Sequence, residues 1–154
     1  MTDKDPILRV LAVSSGGGHW EQLMLVVASF EGAHVAFANT IDGLAEKSGV
    51  SPAYLVADCN RDKIFATVQC ALGIFRIIHQ EKPDVIISTG AAPGILALAI
   101  GKVFGARTIW LDSVANSERL SLSGKFAGKI ADLWLTQWRH LATDNGPKYY
   151  GSVL

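Results

Sequence analysis

Apolar residues fall along this chain in short runs, divided by glycine, proline and polar residues, and the runs alternate between two kinds. Residues 7–13, Ile-Leu-Arg-Val-Leu-Ala-Val, form a strand-length run that stops at Ser-Ser-Gly-Gly-Gly. Residues 19–30 then predict a helix closed by Gly32, 34–38 a second strand, 41–47 a short helix ending at Gly49, and 53–57 a third strand. Over 63–80 the apolar positions 64, 68, 71, 75 and 78 recur in a 4-3-4-3 spacing. Only a helix places such a series on one face. Pro83 follows, as helix stops often do. Residues 84–89 predict a fourth strand, 93–104 a helix with Pro93 in its first turn and Gly105 after its end, and 107–111 a fifth strand. A helix over 121–131 and a short sixth strand over 133–136 complete the series.

Strands that are apolar throughout, rather than on alternate residues, are buried on both faces. Alternating with helices, they indicate a Rossmann-like α/β domain of three layers with a parallel sheet of about six strands. The expected order is 3-2-1-4-5 with the sixth strand beyond the fifth, and right-handed crossovers throughout. Strands 1 and 4 are then neighbours at the point where the order reverses. Ligands of such sheets bind beyond the carboxyl ends of the strands at that point.

Two glycine loops meet there. Ser14, Ser15, Gly16, Gly17, Gly18 and His19 join strand 1 to the first helix. Glycines permit a tight turn and close approach of a ligand, and a helix N-terminus offers free N–H groups and partial positive charge. The combination suits a phosphate or diphosphate; a ligand-free turn is the alternative. Neither GxGxxG nor GxxxxGK[ST] is present, so the usual nucleotide cofactors are disfavoured and none is expected. Thr89, Gly90, Ala91, Ala92, Pro93 and Gly94 form the second loop. His19, at the mouth of the helix, is the candidate general base, or else orients a ligand without proton transfer. Glu21 complements the helix dipole. His34, His79 and His140 lack ligand spacing, and no metal site is expected.

Composition narrows the setting. Fourteen bases balance fourteen acids, which argues against nucleic acid as a partner. Charged residues make up 18% of the chain against a usual ~25%. The run 23–28 is apolar all round its helix, so some of it should face a partner or a membrane unless the helix is sandwiched. Cys59 and Cys70 read as reduced thiols. The polar opening lacks a leader pattern, and no apolar run reaches the ~20 residues of a membrane span.

The ordered set Ser14-Ser-Gly-Gly-Gly-His-Trp-Glu-Gln-Leu23, Ser88-Thr-Gly-Ala-Ala-Pro-Gly94, Ser121-Leu-Ser-Gly-Lys-Phe126, Ala131-Asp132 and Gln137-Trp138 resembles one family, over about 7–154. It is the family of asparagine-linked-glycosylation protein fourteen, with bacterial relatives of the PssD type in exopolysaccharide assembly. The family is similar to the N-terminal half of MurG-like GT-B glycosyltransferases.

The resemblance implies an acceptor-binding subunit that holds a polyprenyl-diphosphate-linked sugar. The UDP-sugar donor, UDP-glucuronate or UDP-N-acetylglucosamine, would bind a separate polypeptide, and the end of the chain near 148–154 fits such a split enzyme. It also implies that the loop ending in His19 faces the acceptor diphosphate and reacting sugar. Arg119, Ser123 and Lys125 match a polar, basic stretch after strand 5. Arg119, Lys125 and Lys129 would each attract anionic lipid head groups by ~1 kcal/mol. Two departures stand out: the membrane-anchoring helix of eukaryotic members is missing, and Asp112-Ser113 replaces Glu-Ser. The first favours a cytoplasmic protein, peripheral on the inner face of the plasma membrane. A complete small enzyme and a non-catalytic scaffold that recruits the donor subunit are the competing readings.

Overall fold

A computed structural model describes residues 6–60 and 62–153. The residues 1–5 on which the reading of a leaderless start rests, and Leu154, lie outside them. Six strands are present: β1 (Arg9–Val13), β2 (His34–Asn39), β3 (Ala53–Leu55), β4 (Val85–Ser88), β5 (Arg107–Leu111) and β6 (Leu133–Leu135). All pair in parallel, in the order β3-β2-β1-β4-β5-β6. The expected Rossmann-like sheet is therefore present, with β1 and β4 adjacent at its centre.

The strands are continuously apolar because each face meets a different layer. Leu11, Val13, Ala36, Ala38, Ile86 and Trp110 pack beneath α3 (Ile64–Glu81), α4 (Ala91–Val103) and α5 (Leu122–Ala127). Val10, Ala12, Phe37 and Ile87 pack with Trp20 and Leu23 of α1 (Gly18–Val27) and Ala45 of α2 (Leu44–Lys47). Glycine sets the closeness of one contact: a Cβ on Gly101 of α4 would stand 2.1 Å from Ile86 Cδ1.

Several boundaries differ from the sequence pattern. The first helix ends at Val27 and tightens into a 3₁₀ turn over Ala28–Phe30. The segment 121–131 is helical only to Ala127, and a turn follows. There Gly128 lies against the Trp134 indole, where a Cβ would meet ring carbons at 2.5 Å. The helix expected from Pro93 starts two residues earlier, since the first-turn position of a proline needs no N–H. Helix α1 is mostly sandwiched: Leu23 is fully buried and Leu25 half exposed. The larger exposed apolar surface belongs to α3, at Ile64, Phe65, Val68, Leu72 and Phe75.

The strand starts are tied together by one buried carboxylate. Arg9 and His34 are register partners on the α3 face, so both reach Glu81 at the end of α3. His34 Nε2 lies 3.0 Å from Glu81 Oε2, Arg9 Nη2 3.5 Å from it, and the Tyr54 hydroxyl donates to Oε1. Burial alone would raise the Glu81 pKa, but the Tyr54 and His34 hydrogen bonds and the His34 and Arg9 charges outweigh it and hold it below its ordinary value. A carboxyl that titrates lower in the fold than in the unfolded chain stabilises the fold above the unfolded value of ~4.3. That contribution declines below the unfolded value and is lost as pH falls through the lower folded one. Glu81→Gln should therefore cost roughly 1–2 kcal/mol at pH 7. In urea titrations the difference from the parent chain should shrink progressively as the solution is acidified below the unfolded carboxyl value.

Candidate functional site

Three loops leave the carboxyl ends of neighbouring strands and enclose a cleft of about 330 Å³. Its lining includes Gly18, His19, Gln22, Ala91, Ser113, Asn116 and Ser123. The sequence pattern anticipates the loops after β1 and β4. The third wall, 112–121 after β5, is supplied by the fold.

The first loop turns through Gly17, whose φ of 67° favours glycine. Gly17 is also the N-cap of α1 and offers no side-chain cap. The first helical bond runs from Glu21 N to Gly17 O at 3.1 Å, so the N–H groups before it have no intrahelical partner, and Gly18 and His19 among them line the cleft. A Cβ on Gly18 would meet nothing within 4 Å, so packing does not require glycine there. The bare backbone at Gly18 instead leaves room for a ligand at the helix terminus. Gly16 packs against Ile41, Ser15 is half-buried, and Ser14 is buried with its hydroxyl on Ser15 O at 2.8 Å.

Two reciprocal hydrogen bonds fasten this loop to the next. His19 Nδ1 lies 3.0 Å from Thr89 O, and Thr89 Oγ1 donates to His19 O at 2.6 Å. A carbonyl oxygen only accepts, so the proton of the neutral ring sits on Nδ1 and the Nε2 lone pair is free. The ring lies directly on Gly90, where a Cβ would stand 2.2 Å from Nδ1, and the Gly90 φ of 155° is itself a glycine conformation. Ala91 follows at φ 65°, a left-handed conformation that costs a non-glycine residue ~1–2 kcal/mol. Pro93 and Gly94 are buried behind the cleft. A Cβ on Gly94 would collide with Ser88 Oγ at 1.9 Å, so its glycine serves packing.

Asp112 shapes the third wall. Its carboxylate accepts from Trp110 Nε1 (3.2 Å), Ser121 Oγ (2.5 Å), Ser121 N (3.0 Å) and Asn116 Nδ2 (3.4 Å). With four donors in place it fixes the loop. Ser121 in turn caps α5 through Gly124 N at 2.7 Å. Trp138 Nε1 and His140 Nε2 hold the loop from behind, on Val114 O (2.8 Å) and Ser117 O (2.6 Å).

Of the residues singled out from sequence, the fold brings Gly18, His19, Ala91 and Ser123 to the cleft surface, and Thr89 and Gly90 to its hinge. Arg119 and Lys125 stand exposed and outside the lining. Sequence reasoning missed Gln22, Ser113, Asn116 and Ser121 as site residues. Gln22 alone carried a local signal, as an uncharged polar side chain in an apolar helix, one turn beyond Gly18.

A family model described as "Oligosaccharide biosynthesis protein Alg14 like" matches residues 49–153, which contain the second and third walls. The human UDP-N-acetylglucosamine transferase subunit ALG14 is 25% identical over 184 aligned positions, covering 96% of this chain and 83% of that protein. The subunit of the same name from Yarrowia lipolytica is 30% identical over 97 positions, covering 59% of this chain and 44% of its own. Among solved structures, MurG of Acinetobacter baumannii superposes with a TM-score of 0.75 at 13% identity, covering 91% of this chain and 44% of MurG. A UDP-N-acetylglucosamine 2-epimerase from Rickettsia bellii gives 0.69 at 14% identity, covering 88% and 40%. The chain thus spans less than half of each of these solved chains. At such identities the likeness is one of fold, the Rossmann-like half found in GT-B glycosyltransferases.

Backbone geometry at the hinge gives a paired expectation. Gly90→Ala should destabilise by about 2–3 kcal/mol, from φ strain and collision with His19. Ala91→Gly should stabilise by roughly 0.5–1 kcal/mol by relieving left-handed strain. Urea unfolding of the two variants measures both.

Proposed function

The chain belongs to the family of Alg14-like oligosaccharide-biosynthesis proteins, and on that premise we propose that it is the acceptor-binding subunit of a two-subunit glycosyltransferase. The sugar donor is a UDP-sugar held by a separate polypeptide. The acceptor is a sugar on a polyprenyl diphosphate, extended in the synthesis of exopolysaccharide or of a lipid-linked oligosaccharide. The relatives named as UDP-N-acetylglucosamine transferase subunits support the reaction class and the division between chains.

The observation that carries the reading is the His19–Thr89 clasp at the mouth of the cleft. In the neutral ring it leaves the Nε2 lone pair beside the N-terminus of α1. An acceptor diphosphate seated on the Gly16–Gly18 backbone would bring a sugar hydroxyl to that nitrogen. His19 then takes the hydroxyl proton as the oxygen bonds to the anomeric carbon of the donor, and UDP leaves with the electron pair of the broken C–O bond. The protein's share is positioning and one proton transfer.

The subunit is placed by this reading on the inner face of the plasma membrane, and exposed apolar side chains support contact with a lipid surface. Ile64 and Phe65 are 77% and 89% exposed at the start of α3, with Val68 and Leu72 continuing the stripe. An apolar groove of about 280 Å³ runs between this end of α3 and α4, floored by Ala92, Ile95 and Leu96. It starts one residue from Ala91 of the cleft, a course suited to the first isoprene units of a polyprenyl chain. Among the described residues no helix is long and apolar enough to cross a membrane.

Two measurements test the proposal. In the pair reconstituted with its donor subunit, His19→Ala should lower sugar transfer by ~10²–10⁴-fold with the fold intact by circular dichroism. Undiminished transfer would instead favour a scaffold. Turnover or tight UDP-sugar binding by this chain alone would remove the division between subunits. In a second experiment, Phe65→Ser with Ile64→Ser should abolish co-sedimentation with anionic phospholipid vesicles. Retained sedimentation would locate the membrane contact elsewhere.

A further inference from the structure

Ser113 follows β5 and lines the cleft with 6% of its surface exposed. Its Oγ accepts two hydrogen bonds, from Gln22 Nε2 at 3.1 Å and from Ala115 N at 3.3 Å. A hydroxyl has two lone pairs and one proton. With both lone pairs occupied, the remaining direction carries the proton, and no acceptor among the described residues takes it.

The direction of these bonds is not a free choice. Gln22 Oε1 accepts from Val114 N (3.0 Å) and Gln137 Nε2 (2.7 Å), while its Nε2 also donates to Gly18 O (3.1 Å). A flipped amide would set donors against donors and an oxygen against a carbonyl. Gln137 is fixed in the same way: its Nε2 also donates to Asp112 O (3.1 Å), and its Oε1 accepts from Val153 N (3.2 Å). A head-to-tail chain therefore runs from the Val153 N–H through Gln137 and Gln22 to Ser113. Bonds aligned in this way polarise one another, which strengthens the last donor.

We infer that Ser113 donates this proton to an anionic phosphate oxygen of the acceptor, as a specific ligand contact of the cleft. The assignment rests on the reading of the cleft as a diphosphate site. The Gln22 amide touches both Ser113 Oγ and the carbonyl of Gly18, so the serine donor stands beside the N-terminal end of α1. Two sources of positive potential converging at one place select an oxygen with negative charge. His19 Nε2, an acceptor in the same cleft, is left for a hydroxyl. The cleft thus distinguishes the two ends of its ligand by donor and acceptor character.

Isothermal titration of the full chain with farnesyl diphosphate, which carries no sugar, tests the assignment. Ser113→Ala should weaken binding about tenfold, the ordinary value of one hydrogen bond to a charged oxygen. Ser113→Thr, which keeps the hydroxyl, should stay within about threefold of the parent. Ser113→Cys, close in size but a poor donor, should follow alanine. Thermal unfolding checks that all three fold. Should alanine unfold the protein, the threonine–cysteine pair decides. If the parent chain binds no farnesyl diphosphate, the diphosphate reading falls with this one. If it binds and Ser113→Ala binds equally well, or threonine loses as much as alanine, only the serine assignment is overturned. A loss confined to an N-acetylglucosaminyl diphosphate lipid would move the donor to the sugar's amide carbonyl and also overturn it.

Discussion

The site of this protein depends on the double hydrogen bond between His19 and Thr89, one from each of the loops that leave β1 and β4. Parallel pairing of β1 with β4 brings the loops side by side, but adjacency alone would leave two mobile turns. The clasp joins them in both directions, ring to carbonyl and hydroxyl to carbonyl. It also sets the histidine tautomer without any charged partner. Its geometric cost falls on Gly90 and Ala91, where the backbone takes conformations that L-residues avoid. The strain is retained next to a cleft and not in the core.

Around this clasp the polar groups divide into those already satisfied and those held in reserve. Asp112 is surrounded by donors and acts as the anchor of the third wall. Gln22 and Gln137 use their amides fully and pass a direction to Ser113. His19 Nε2, the Ser113 proton and the first N–H groups of α1 remain. A buried polar network that is satisfied everywhere except at its exposed end stiffens that end and aims it. Asp112 therefore bears on the shape of the wall, since its carboxylate works through its neighbours.

The two faces of the domain serve different tasks. The α1 side covers the sheet and offers its helix terminus to the cleft. The α3 side exposes an apolar stripe, and the groove between α3 and α4 is lined by Ala92, the residue after Ala91 of the cleft. On the proposed function the two features answer to the two parts of the acceptor, a polar seat for its diphosphate and an apolar path for its chain.

The sequence by itself determined the sheet. Strands apolar on both faces can only be buried between layers, and a helical spacing such as that of 64–78 has one structural solution, so the order β3-β2-β1-β4-β5-β6 followed from pattern and handedness. The switch-point loops, with His19 and Thr89 in them, were legible for the same reason. Boundaries were less so, because the turn after Ala127 is set by the Trp134 indole against Gly128, a contact between segments the pattern treats as separate. Of the third wall only the resemblance gave a hint, through the polar stretch Arg119, Ser123 and Lys125, of which Ser123 reaches the cleft. Gln22, Asp112, Ser113, Asn116, Ser121 and Gln137 acquire their roles only from one another, across as many as 115 residues of chain. Hydrogen-bond direction is a property of such a closed set of partners, and no local run of residues encodes it.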